Sequence, residues 1–165
     1  MNLRVAVQMD PLPGLKIGGD STFALMLSAQ ARGHSLFHYH VESLAWQDGT
    51  RTALAEPATV QRVDGDHYTL GEPRKIDLAK DVDVVLMRQD PPFDMSYITA
   101  THVLEHTHPK TLVVNEPASV RSSTAKLFGT HFDNVRPQSR FTPEEAAPTD
   151  SRARPTDRAR QRRVA

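Results

Sequence analysis

The densest cluster of reactive side chains lies in Arg88-Gln89-Asp90-Pro91-Pro92-Phe93-Asp94, where one arginine, two aspartates and two prolines fall within seven residues. Each proline removes a backbone donor, fixes its own φ and restrains the residue before it to extended geometry, so the loop is stiff. The run Val82-Asp83-Val84-Val85-Leu86-Met87 before it is apolar and β-branched, and reads as a strand buried on both faces. The charges therefore leave the carboxyl end of a buried strand, which in open α/β sheets is the edge where ligands bind. Two readings fit them. They face a ligand, or Arg88 pairs with Asp90 or Asp94 and simply pins the loop.

A second place with chemical potential is the start of a helix predicted after Asp20-Ser21. Helix N-termini carry unpaired N–H groups and a partial positive charge, so the region around Ser21 can hold an anion. The loop before it, Lys16-Ile17-Gly18-Gly19-Asp20-Ser21, has two glycines and a lysine, but its spacing matches neither the P-loop nor the dinucleotide fingerprint. On pattern alone it is a flexible loop ending in an ordinary cap. Of the eight histidines, His102 and His106 stand four apart on one predicted helix with His108 just beyond, and His38 and His40 alternate along a strand. Four-residue spacing suits a shared metal. The pattern fixes no third ligand and turns Glu105 off the shared face, so surface or half-buried histidine is the expectation.

These residues need a scaffold, and the hydrophobic pattern supplies one. Leu3 to Met9 reads as a first strand, closed by Asp10-Pro11-Leu12-Pro13-Gly14. Asp20-Ser21 offers an N-cap to a helix with Phe23, Met26, Leu27 and Ala31 at helical spacing, and Gly33 stands where a left-handed C′ residue belongs. With the extended Leu36-Phe37-His38-Tyr39 this makes a βαβ unit, hence parallel strands. Two hairpins follow, one over residues 44–53 around Asp48-Gly49 and one from Thr59 to Leu70 around Asp64-Gly65-Asp66, because Gly tolerates the positive φ of tight turns. They read as an insertion that extends the sheet or forms an edge flap. Asp77-Leu78 leads back to the central strand. Beyond it, Ser96 can cap a helix whose apolar face is Tyr97, Ala100, Thr101 and Leu104, ended by Pro109. Thr111 to Val114 is a further short buried strand, and Ser119 to Phe132 a turn and helix. The order gives an α/β domain, Rossmann-like and doubly wound, with a mainly parallel sheet, helices on both faces and a hairpin insertion at about residues 44–72.

The chain's 165 residues hold one domain with a core, or one domain plus a tail. With 20 basic and 20 acidic groups the formal net charge is zero, which makes no overall electrostatic case for nucleic acid or membranes as partners. No cysteine is present, excluding disulfides, thiolate metal sites and a cysteine nucleophile. No apolar run approaches a membrane span, and residues 1–7 enter a strand pattern without the features of a signal peptide, so a soluble, cytoplasmic protein is expected. From Asn134 the hydrophobic periodicity stops. Residues 134–165 are rich in Arg, Pro, Ala, Ser and Thr, and every basic residue among them is arginine. Such a segment buries too little apolar surface to offset chain entropy, so a disordered C-terminal tail is expected. It fits a basic arm for acidic partners, a solvated tail without a role, or out-of-frame translation of a GC-rich gene, the last being preferred.

Together these motifs resemble the N-terminal domain of the bacterial glutathione synthetase family, ATP-grasp ligases that join γ-glutamylcysteine to glycine. The resemblance rests on Val7-Gln8-Met9-Asp10-Pro11, on Lys16 through Ala29 with its Asp20-Ser21-Thr22-Phe23-Ala24-Leu25-Met26-Leu27, and on Ala29-Gln30-Ala31-Arg32-Gly33. It continues through Asp83 to Asp94 with a Met-Arg-x-Asp-Pro-Pro-Phe-Asp signature, Val113-Val114-Asn115-Glu116-Pro117, and Ser119-Val120-Arg121 with Lys126-Leu127-Phe128. It covers residues 1–133 and departs at Gln89, where family members usually carry lysine.

The resemblance implies a pre-ATP-grasp domain over residues 1–133. In the family reaction ATP phosphorylates the γ-glutamylcysteine carboxylate and glycine attacks the acyl phosphate, with Mg2+ shielding the phosphates. By the same resemblance Lys126 reaches the nucleotide phosphates, while Arg88, Asp10 and Ser21 face the substrate cleft. Arg88 would fork a substrate carboxylate in a geometry that lysine does not reproduce. Family members are homo-oligomers. After Asp133 the family pattern stops where the ATP-grasp part, with its Gly-rich loop, second phosphate lysine and acidic Mg2+ ligands, would begin. The resemblance therefore implies a truncated or frameshifted chain that binds neither ATP nor Mg2+ tightly, has no catalytic residues and lacks ligase activity alone. Two alternatives stay open. One is a stand-alone module binding a small molecule or a separate ATP-grasp chain; the other is an adaptor whose Arg-rich arm takes acidic partners, nucleic acid among them.

Overall fold

The computed structural model describes residues 1–90 and 92–122. Along them run β1 (Arg4–Gln8), α1 (Ser21–Ala31), β2 (Ser35–Tyr39), β3 (Ala45–Gln47), β4 (Thr50–Val60), β5 (Tyr68–Leu70), β6 (Arg74–Asp77), β7 (Val84–Met87), α2 (Met95–Glu105), β8 (Leu112–Val114) and α3 (Pro117–Ser122). The strands form one mixed sheet in the order β3-β4-β2-β1-β7-β8, with β5 and β6 also paired to β4. Strands β2, β1, β7 and β8 are parallel, and β4 joins β2 in the antiparallel sense. The protein is a mixed α/β fold.

Strand alternation builds two cores, one per face. Val5 and Val7 of β1 pack with Leu36, Ala58 and Val60 against Phe23 and Met26 of α1. Ala6 packs with Phe37, Tyr39, Val85, Met87 and Val113 on the other face, where Leu104 of α2 and Val120 of α3 close the layer. The period of two along a strand enforces this division.

Local signals fix both ends of α1. Asp20 accepts the Phe23 N–H at 2.7 Å as N-cap. At the other end Gly33 takes φ +80°, its N–H donates to Gln30 and the His34 N–H to Ala29, a Schellman motif. The Asp48-Gly49 turn places φ at 50° and 76°, the double positive a tight hairpin turn requires. At the amino end of the sheet the Arg4 guanidinium grips Asp83 at 2.8 Å, and the Arg4 N–H donates to the same carboxylate.

Several expectations are corrected. The two hairpins share one strand: β4 runs eleven residues, its first half between β3 and β6, its second between β2 and β5. Asp94, not Ser96, caps α2, accepting the Tyr97 N–H at 2.9 Å, and the helix ends at Glu105, ahead of Pro109. β7 and β8 are buried on one face only; α1 lies over β2 and β4, leaving Leu112 and Val114 of β8 54% and 39% exposed. Lys126, the helix expected up to Phe132 beyond α3, and the tail over 134–165 lie outside the described residues. Among the described residues no helix is long and apolar enough to cross a membrane.

Candidate functional site

The carboxyl ends of β1, β2 and β7 open onto one cleft. Met9, Asp10 and Pro11 follow β1, His40, Val41 and Glu42 follow β2, and Gln89 follows β7; together they line a volume of about 230 Å3. This is the edge at which parallel sheets expose their loops to ligands. The loops are laced to one another. The Arg88 N–H donates to the Gln8 carbonyl at 2.8 Å, the Asp90 N–H donates to the Asp10 carboxylate at 2.9 Å, and the buried Gln8 side-chain amide donates to the Gln89 side-chain carbonyl.

Arg88 and Gln89 turn to opposite faces of the sheet, as successive residues of an extended chain must. Arg88 reaches the first turn of α1, where its Nε donates to Thr22 Oγ1 at 3.1 Å and a terminal nitrogen to Ser21 Oγ at 2.7 Å. Those two hydroxyls use two of the five guanidinium N–H donors. Among the described residues Arg88 makes no ion pair with Asp90 or Asp94; Asp94 is occupied as the cap of α2. The loop is pinned, but to the helix rather than to its own carboxylates. Burial raises the Tyr97 pKa, with Arg88 opposing the shift and Asp90 adding to it, so this hydroxyl stands in the field of the same loop.

His38 corrects the expectation of surface or half-buried histidine. It is 1% exposed, because β2 is flanked by β1 and β4 and the ring shares the covered face with Leu36. The ring meets His40 edge-on at 4.6 Å, and its Nδ1 stands 3.5 Å from Glu56 without forming a hydrogen bond. Burial lowers its pKa and His40 adds to the shift; the Asp10 backbone and Glu56 oppose it. His106 packs edge-on against Trp46 at 4.4 Å. Among the described residues no three His, Asp or Glu side chains converge as metal ligands.

Of the residues named from sequence, Asp10 lines the cleft, and Arg88 and Ser21 bond to each other on the α1 side of the same loop. Lys126 lies outside the described residues. Sequence reasoning did not single out Gln8, His40, Glu42 or Gln89 as site residues. For Gln8 a signal existed, a polar side chain ending the apolar run Val5-Ala6-Val7. Gln89 stands out only as a departure from the family's usual lysine and His40 only as one of the histidines weighed for a metal, while Glu42 carries no signal of its own.

Comparison with known proteins bears on this geometry. The family model for the prokaryotic glutathione synthetase N-terminal domain matches residues 3–121. Glutathione synthetase of Brucella melitensis is 53% identical over 152 residues, 92% of this chain and 48% of that protein. The Agrobacterium fabrum enzyme is 53% identical over 138 residues, 84% and 43% respectively. That of Salmonella typhimurium is 35% identical over 145 residues, 87% and 46%. The chain thus spans just under half the length of these relatives.

Proposed function

Because the chain belongs to the prokaryotic glutathione synthetase family through its N-terminal domain, we propose that residues 1–133 form the substrate-side domain of such an enzyme and that the cleft takes γ-glutamylcysteine. The observation that carries this reading is the convergence of Asp10, His40, Glu42 and Gln89 on one cleft, with Arg88 held next to it by Ser21 and Thr22. γ-Glutamylcysteine carries two carboxylates and one ammonium at neutral pH. Arg88 forks a carboxylate with its remaining donors, and Asp10 and Glu42 attract the ammonium. Ser21 aims the fork.

In the complete family enzyme ATP and glycine are the other substrates and Mg2+ the metal, with Lys126 reaching the nucleotide phosphates. The described residues offer no donor set that fits Mg2+. On this reading most contacts to ATP and Mg2+ belong to parts of the complete enzyme beyond residues 1–122, and the 165-residue polypeptide is proposed to be inactive as a ligase alone. Cytoplasmic location and homo-oligomerisation go with the same reading.

Titrating the 165-residue chain with γ-glutamylcysteine in a calorimeter tests the cleft assignment. Saturable binding is expected for the wild type, weakened about tenfold in Arg88→Lys, because lysine cannot reproduce a charged two-point contact. A wild-type chain that shows no saturable heat at millimolar ligand overturns the assignment.

A further inference from the structure

Gln8 lies in the middle of the parallel strands, in register with Tyr39 of β2 and Met87 of β7, and is fully buried. Its neighbours at this depth are apolar, so the amide calls for a reason. Only one end of it is satisfied. Nε2 donates to the Gln89 side-chain carbonyl, while Oε1 has no partner among the described residues. Reversing both amides would leave a buried NH2 unpartnered instead, and orphaned N–H groups are rarer in proteins than under-satisfied carbonyls. The orientation with Gln8 as donor is therefore the favoured one. Tyr39, on the same sheet face one strand away, also buries a hydroxyl without a partner among the described residues. The residues that follow these two, Met9 and His40, line the cleft. Gln8 and Tyr39 are thus two buried polar side chains in register on neighbouring strands, each followed by a residue that lines the cleft.

The consequence falls on Gln89. With its carbonyl oriented towards Gln8, this cleft-lining side chain has its NH2 group turned away from that bond as a free donor. We propose that Gln8 is a positioning residue that fixes the Gln89 amide, so that Gln89 donates a hydrogen bond to an oxygen acceptor of the bound ligand, a peptide carbonyl or carboxylate of a γ-glutamyl peptide. The inference rests on the reading of the cleft as a γ-glutamyl peptide site and deepens it. A neutral, oriented donor recognises a carbonyl by direction, whereas a flexible cation at the same place would recognise any anion by charge.

γ-Glutamylcysteine titrated into the isotope-labelled 165-residue chain decides the matter, read both by calorimetry and by the side-chain amide resonances. The Gln89 NH2 resonances shift on saturation in the wild type. Gln89→Met and Gln89→Glu, which lack the donors, each weaken binding about tenfold. Gln8→Met keeps the volume but not the donor; binding weakens several-fold and the Gln89 resonances no longer respond, a change that a loop tie alone would not produce. Wild-type affinity in both Gln89 variants, or unmoved Gln89 resonances at saturation, overturns the proposal and leaves the cleft assignment standing. A wild type that does not bind overturns both. If Gln8→Met fails to fold, the Gln89 variants and the wild-type resonances still test the donor role by themselves.

Discussion

His38 of β2 and Arg88, just beyond the end of β7, lie on either side of β1 in contrasting surroundings. Arg88 donates to the hydroxyls of Ser21 and Thr22. His38 is buried with no hydrogen bond to either ring nitrogen among the described residues, and burial holds its pKa below the ordinary 6.5. A histidine whose folded pKa is lowered binds its proton more readily in the unfolded chain. Its contribution to stability is therefore complete above about pH 6.5 and is lost as pH falls below that value. Urea midpoints of wild type and His38→Leu, compared from about pH 7 down to about pH 5, should show the wild type losing stability relative to the variant as pH falls. A constant difference across that range would mean that the ring titrates as it does in the unfolded chain. Asp83 makes the matching case for a carboxylate. The hydrogen bond from the Arg4 guanidinium, aided by the Arg4 N–H, holds its pKa down to about 2 from 3.8. The stability it adds is full above about pH 4 and lost as pH falls towards 2. Both side chains are partly exposed, so screening reduces that contribution to about 1 kcal/mol. Asp83→Asn should be less stable than wild type by about that amount at neutral pH and equal to it near pH 2, by the same urea assay.

The elements that carry these residues were legible where the signal was local. Asp20 and Gly33 bound α1 because a cap and a left-handed residue act within one turn. Asp20→Ala should cost about 1 kcal/mol in urea denaturation, and it should also lower γ-glutamylcysteine affinity, since Ser21 and Thr22 at that helix start hold Arg88. Unchanged affinity with reduced stability would separate the helix start from the cleft. The misreadings share a different origin. β4 runs straight through Pro57, a residue that breaks strands locally, because the flanking pairs Leu36–Ala58 and His38–Glu56 persist and the Pro57 carbonyl still accepts the Gly71 N–H at 2.8 Å. β6 reads Arg-Lys-Ile-Asp and buries fully only Ile76, so its strand state comes from pairing with β4 rather than from any pattern of its own. Asp94 and Ser96 are both good caps, and sequence alone does not choose between them. Asp10 was reachable as a polar residue closing a strand. The Gln8–Gln89 contact was not, for it joins positions 81 apart through the register of β1 and β7.

At the scale of the molecule the sheet divides its labour. The antiparallel half built on β4 widens the scaffold, while the parallel half of β2, β1, β7 and β8 delivers its carboxyl ends to one edge, with the cleft at β2, β1 and β7. A cleft made of three loops can bind and orient a peptide. Forming an acyl phosphate from it asks for more: phosphates held by cations, charge stabilised as it develops on the transferred group, and water kept from the intermediate. None of these is supplied by the residues that line this cleft, which include one histidine, two carboxylates and one amide. Binding and catalysis should therefore part company in one experiment. The 165-residue polypeptide, incubated with ATP, Mg2+, γ-glutamylcysteine and glycine, should release no ADP above a protein-free control, while calorimetry on the same preparation registers γ-glutamylcysteine binding that Arg88→Lys weakens. Sustained formation of ADP and glutathione would mean that this chain completes an active site from residues beyond position 122, and the division between a binding half and a catalytic half would have to be abandoned.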